Sequence, residues 1–226
     1  MKNYPFAIND PALSKTERLS ALCAHEAGTF SRSFDFSAAE INNHIHTIYS
    51  FSPYSPSMAA LLARDAGLGA AGSVDHDSIA AADEMLAACA VLGIGGCVGF
   101  EVRVSFRTGP DGKPGPFAAR KLNNPDSAGY AYMTVQGIPR QSIRAAAAFL
   151  APLREERLRR SRAMALAADG PLRGAGLSAI DFEKDVFTRS KYAEGGGITE
   201  RHLLAAVAEK LFLKFGKGQE LVEGLK

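Results

Sequence analysis

Between Ile41 and Phe106 the chain alternates strand and helix signals, and that alternation leaves few folds open. Ile41 to Ile48 reads as a strand. Ser55-Pro56-Ser57 opens a helix, with Ser55 as cap and Pro56 at the first helical position, where a missing N–H costs nothing. That helix, Met58 to Ala66, stops at Gly67. Ala70 to Val74 is a short apolar strand. Asp77 or Ser78 caps a second helix, Ile79 to Leu92, which ends at Gly93. Gly96 to Phe106 is a third strand with Val98, Phe100, Val102 and Val104 on one face. Strands joined through helices pair in parallel by right-handed crossovers, so the expected class is α/β.

The flanks read differently. Met1 to Arg32 is a mixed leader with a short helix around Ser14 to His25. Thr108 to Gly115 is a turn-rich insertion, and Tyr130 to Val135 is a fourth strand. Gln141 to Ala168 is rich in alanine and arginine and reads as a long helix. Leu177 to Arg189 and Thr199 to Phe215 read as two more, joined by a flexible Glu194-Gly195-Gly196-Gly197. Three regions follow: a leader at 1–37, a βα core at 38–138 and a helical region at 139–226. A complete eight-stranded β/α barrel takes about 250 residues. Three or four strands followed by helices would leave such a barrel unfinished.

The βα core carries the chemistry. His44 and His46 stand at i and i+2 on an extended segment, so both imidazoles point to one side. Asp75 and His76 end the second strand, and Glu101 lies in or near the end of the third. In parallel α/β folds the C-terminal strand ends share one rim, where sites form. Imidazole nitrogens and carboxylate oxygens there suit divalent zinc, manganese or iron. A carboxylate such as Glu101 can bridge two ions. Asp75 or Asp77 is alternatively an orienter of an imidazole from behind. Taken singly, each cluster has an ordinary explanation: a chance H-x-H, a turn histidine between capping aspartates, an exposed strand glutamate. Together, at three successive strand ends, they favour a metal site.

Other signals are weaker. Gly93-Ile94-Gly95-Gly96-Cys97-Val98-Gly99 precedes a strand and lacks G-K-[ST], so it is no phosphate loop. The run Arg154 to Arg162 is interrupted by Glu155 and Glu156 and reads as a solvated helix face. No G-x-S-x-G elbow supports serine catalysis. The formal net charge of +2 over 226 residues gives no global pull toward nucleic acid or membrane. Cys23, Cys89 and Cys97 form no C-x-x-C pair and read as reduced thiols. Met1 to Pro11 lacks the apolar run of a signal peptide, and no stretch is long and apolar enough to span a bilayer. A cytoplasmic location is expected.

The stretch Asn43 to Ser105 resembles the polymerase and histidinol phosphatase (PHP) superfamily of metal-dependent phosphoesterases. His44, His46 and Ser50 match its H-x-H motif and following serine. Val74-Asp75-His76 nearly matches its T-D-H, and Gly99-Phe100-Glu101 matches its G-x-E. The resemblance implies an irregular (β/α)7 barrel, here partial, with a helical insert or appended helical region. It implies two or three divalent ions and hydrolysis of phosphate esters through a metal-activated water, in some branches on mononucleotides, 3′,5′-bisphosphates or short oligonucleotides. On it, His44, His46, His76, Glu101 and Asp75 are candidate ligands, with Glu101 and Asp75 also the catalytic candidates. The helical region is similar to the insert of the nucleotide-phosphatase branch, whose Arg-His element is matched by Arg201-His202. Those two are candidate substrate-binding residues; a helix face in solvent for Arg201 and plain packing for His202 are the alternatives.

Two departures matter. Phe51 stands where many members have an aspartate, so two metal sites at most are expected. The family's terminal D-x-H has no counterpart, since His202 is the one histidine after His76. A truncated chain, a split gene product or a degenerate relative would each account for that. Expected partners are a small phosphorylated substrate, without membrane or stable nucleic-acid complex, and a partner or homo-oligomer covering an incomplete barrel.

Overall fold

A computed structural model of the chain describes residues 4–28, 37–123 and 127–226. Parts of the expected leader, 1–3 and 29–36, lie outside the described residues. Four strands form one curled sheet in the order β1 (Ser37–Ile45), β2 (Leu68–His76), β3 (Gly95–Ser105), β4 (Tyr130–Val135). The first three are parallel, as the crossovers require, and β4 returns antiparallel to β3. The helices are α1 (Lys15–Ala27), α2 (Pro56–Asp65), α3 (Ala82–Leu92), α4 (Ile143–Gly174), α5 (Glu200–Phe215) and α6 (Gln219–Gly224). Among the described residues no helix is long and apolar enough to cross a membrane.

Local chemistry sets the βα units. Ser55 caps α2 by accepting from the Met58 N–H, and its own hydroxyl donates to the Ile8 carbonyl. Gly93 ends α3 in the left-handed conformation, at φ 70°. Met58, Leu61, Met85, Cys89, Val98 and Phe100 form the main core, with Val102 packed against it. Strand alternation turns Glu101 and Arg103 to the opposite face, where they line a cavity. A second apolar cluster, including Ala165, Leu172, Val186, Ile198 and Leu203, sits among the elements of the helical region.

Several expectations need correction. Neither Asp77 nor Ser78 caps α3, whose N-cap is Ala81. Asp77 instead takes a left-handed φ of 51° and donates its N–H to the Glu101 carbonyl, so the chain turns once more before the helix begins. Residues 177–189 are not a regular helix. They hold one π-helical turn, Phe182–Phe187, begun by Asp181, whose side chain accepts from the Lys184 N–H, while Leu177, Ile180 and Val186 are buried in the second cluster. The run Gly195 to Gly197 is no free joint. Gly197 donates to the Tyr49 carbonyl at 2.8 Å, Ser78 Oγ donates to the Gly195 carbonyl at 2.8 Å, and Arg154 Nε donates to the Gly196 carbonyl at 3.0 Å. A Cβ on Gly197 would lie 2.6 Å from the His76 carbonyl oxygen. Glycine is needed there because two backbones touch.

The N-terminal helix is tied in by a buried fork. Arg18 and Glu84 are both fully buried, with Nε to Oε1 at 2.9 Å and Nη2 to Oε2 at 2.7 Å. Glu84 Oε1 also accepts from Ser57 Oγ at 2.8 Å, so one carboxylate joins α1, α2 and α3. Removing one partner leaves a buried charge uncompensated, which costs about 3–5 kcal/mol. Arg18→Met is therefore expected to lose that much stability in urea denaturation, and Arg18→Met/Glu84→Met to recover much of it.

Candidate metal centre

Three successive parallel strands deliver the site. His44 is on β1 and His46 follows its last residue. His76 ends β2 and lies opposite Glu101 in the β2–β3 register. His44 Nε2, His46 Nε2 and His76 Nδ1 stand 3.7, 3.4 and 3.3 Å from a single oxygen, Glu101 Oε2. The His46 and His76 rings stack at 4.6 Å. These side chains line a cavity of about 540 Å³ together with Arg103, Tyr132, Arg157 and Arg201.

The contacts are not conventional ion pairs. Burial holds the His76 imidazolium down to about pKa 3, with His46 beside it adding to the effect. Burial likewise lowers His46, against the opposing pull of Glu101. Neutral imidazoles whose lone pairs face a carboxylate repel it. His76 Nδ1 is buried and makes no hydrogen bond among the described residues. A cation between these groups would relieve both problems. Tetrahedral zinc, with ligands at about 2.0–2.1 Å, spaces neighbouring donor atoms by about 3.3–3.4 Å. His46 and His76 approach Glu101 at that spacing, and His44 lies a few tenths of an ångström beyond. His44, His46 and Glu101 offer donor atoms that all lie within 4.8 Å of one another and so fit a divalent ion in donor type and separation, while His76 meets the same Glu101 oxygen outside that group; metal identity is not set by them.

Asp75 lies elsewhere. It is 1% exposed and accepts from Thr47 N at 2.7 Å, Thr47 Oγ1 at 2.7 Å and Ser50 Oγ at 2.6 Å. Burial pushes its carboxyl up, against those three donors. The structure does not bring Asp75 into the ligand cluster; its oxygens are already engaged behind His46. Of the two earlier alternatives, geometry favours the orienter.

Arg201 lines the cavity and makes no ion pair among the described residues. His202 does not line it. Its Nδ1 accepts from the Thr199 N–H at 3.0 Å, capping α5, and its ring meets Phe51 edge-on at 4.7 Å. Burial lowers its pKa to about 4. Phe51 itself sits at φ 74°, an uncommon region for a bulky side chain, and offers no carboxylate where the resemblance expected one.

Sequence reasoning missed Arg103 and Arg157. Arg103 was within reach, being two residues beyond Glu101 on the same strand face. Arg157 was not, because the run Arg154 to Arg162 looks uniformly solvated. Only the fold shows Arg157 buried, its Nε donating to Asp77 Oδ2 and its Nη1 3.7 Å from Glu200.

No family model and no curated protein matches the chain. Solved structures do. One, from Bifidobacterium adolescentis and assigned as a metal-dependent phosphoesterase, matches with a TM-score of 0.55 and 20% identity over 76% of this chain and 50% of its own. Another, an amidohydrolase from Chromobacterium violaceum with bound sulfate and no metal, matches with a TM-score of 0.55 and 25% identity over 75% of this chain and 50% of its own. The chain therefore has a metal-dependent-hydrolase-like α/β fold and spans about half the length of these structures.

Zinc affinity, measured by competition with a chromophoric chelator, is expected to fall at least about tenfold in His44→Ala, His46→Ala and Glu101→Gln, since each removes one donor of the group.

Proposed function

We propose that the chain is a PHP-type phosphoesterase hydrolysing small, nucleotide-like phosphate esters with one or two divalent ions, zinc, manganese or iron. The convergence of three imidazoles on Glu101 beneath a wall of arginines carries this reading. A bound ion would supply an acidified water and offset charge on the phosphoryl oxygens. His44, His46, His76 and Glu101 would hold it. The Arg201 guanidinium, uncommitted among the described residues, suits a phosphate by its planar fork, with Arg103 lining the same cavity and Arg157 held there by Asp77 and Glu200. Asp75 would act through His46. The 38–138 segment would be the catalytic core, and the 139–226 segment would bring Arg157 and Arg201 to it. The sulfate bound to the amidohydrolase neighbour is a tetrahedral oxyanion and agrees in chemistry with a phosphoryl substrate.

The test is a pair of assays on metal-loaded protein. p-Nitrophenyl phosphate with added manganese or zinc is expected to turn over, and His44→Ala to reduce turnover to background. Hydrolysis of a nitroanilide amide without the phosphate ester would favour amide chemistry instead. A second reading is a catalytically impaired module that binds metal or phosphate and works with a partner. It is favoured by the outer edge of β1, which pairs with no strand among the described residues, and by Ile41, 58% exposed on that strand. Zinc binding without turnover, together with self-association in sedimentation, would support it.

A further inference from the structure

We infer that the side-chain pair Asn43–Gln136 closes the curled sheet beneath the ligand cluster, and that Gln136 is thereby a positioning residue for His44. The use of this clasp rests on the metal-centre reading; the clasp itself does not.

The β1 register supplies the first observation. Asn42 pairs with Ala71 and Ile45 with Ser73, so two residues of β1, Asn43 and His44, oppose the single residue Gly72 of β2. Two against one is a β-bulge, which re-aims side chains. Ile45 and Ala71 pack into the main core. Gly72 lies opposite Cys97, which shares a β3 face with Glu101. Plain alternation would send Asn43 and His44 to opposite faces. The bulge leaves both toward the Glu101 face: His44 Nε2 stands 3.7 Å from Glu101 Oε2, and the Asn43 amide donates to the Gln136 amide oxygen. The His44 N–H donates to Asn42 Oδ1 at 3.0 Å, which ties the bulge internally.

Gln136 directly follows β4, at the far side of the four-stranded sheet from β1. Neighbouring strands lie about 4.8 Å apart, so β1 and β4 would stand about 14 Å apart in a flat sheet. An Asn and a Gln side chain joined by a hydrogen bond span at most about 12 Å between Cα atoms. Two glycines remove the difference. A Cβ on Gly72 would lie 3.0 Å from Asn43 Cα and 2.8 Å from the Cys97 carbonyl oxygen, so β1 and β3 fold in over it. A Cβ on Gly99 would lie 2.0 Å from the Val135 carbonyl oxygen and 2.9 Å from Gln136 Cα, so the chain leaving β4 leans over the sheet there. Val135 still pairs with Phe100, and Ile138 donates its N–H to the Val98 carbonyl at 3.0 Å. The short crossing is pinned at both ends, which aims Gln136 at Asn43. A single amide pair adds little net stability. Its effect is on direction: Asn43 shares its bulge with His44, so holding one holds the other.

Metal-free protein is read first, by NMR. Wild type is expected to show a cross-relaxation peak between the Asn43 and Gln136 side-chain amides. Gln136→Ala is expected to shift the His44 ring resonances and leave those of His202, in the cap of α5, in place. Zinc is then titrated by chelator competition. Gln136→Ala is expected to weaken zinc about tenfold, as loss of a group supporting a ligand does. Its melting temperature is expected to stay within about 2 °C of wild type. Gln136→Glu keeps the acceptor and is expected to keep the affinity. In a His44→Ala background, Gln136→Ala is expected to cost zinc nothing further. A missing amide contact, or His44 resonances unmoved by Gln136→Ala, overturns the inference whether or not zinc binds. An equal zinc loss with and without His44 also overturns it, since the pair then acts on the fold at large. The amide contact and the His44 shift without zinc uptake uphold the clasp and overturn the metal-centre reading alone.

Discussion

One carboxylate facing three imidazoles is the constraint from which the rest of the site follows. Glu101 is largely buried, and its Oε2 has nitrogens of His44, His46 and His76 within 3.7 Å. Burial disfavours imidazolium at His46 and His76, and neutral rings cannot all donate to one oxygen. The cluster therefore presents neutral nitrogens to a carboxylate. That donor set suits a divalent metal. The parallel register of β1, β2 and β3 creates the cluster, since it stacks three strand ends on one rim.

The layers behind that cluster are more restrictive than the cluster itself. Asp75 spends its oxygens on Thr47 and Ser50, which hold the β1–α2 turn beneath His46. Asp77 continues the same strand end, accepts from Arg157 of α4 and donates its N–H to the Glu101 carbonyl. The glycine strap at 195–197 lies against the carbonyls of Tyr49 and His76. The helical region is thereby fastened to the backbone that carries the ligands, and Glu200 and Arg201 reach the cavity directly after the strap. Core stability has a separate root in the Arg18–Glu84 fork, away from the cavity-lining residues.

The βα order was legible because each unit obeys a local rule: the Ser55-Pro56 start, the Gly93 stop, the alternation in β3. His44, His46, His76 and Glu101 were legible because two-residue strand periodicity and shared strand ends bring them together without knowledge of side-chain packing. The role of Asp75 was not decided, because a carboxylate beside a ligand histidine has the same sequence signature whether it faces the ion or the chain behind. The irregular path at 177–189 and the packed glycines at 195–197 were misread for a common reason. Their conformations are set by contacts with distant elements, and glycine alone does not distinguish a hinge from a close backbone approach. Arg157 was hidden by neighbours of identical type.

The central claim is that His44, His46 and Glu101 together hold a divalent ion. Crystals grown with zinc and measured at the zinc absorption edge test it most directly. The account predicts an anomalous peak within coordination distance of His44, His46 and Glu101, with Asp75 still bonded to Thr47 and Ser50. A cluster without anomalous density at saturating zinc, or a peak ligated by Asp75 in place of Glu101, would contradict it.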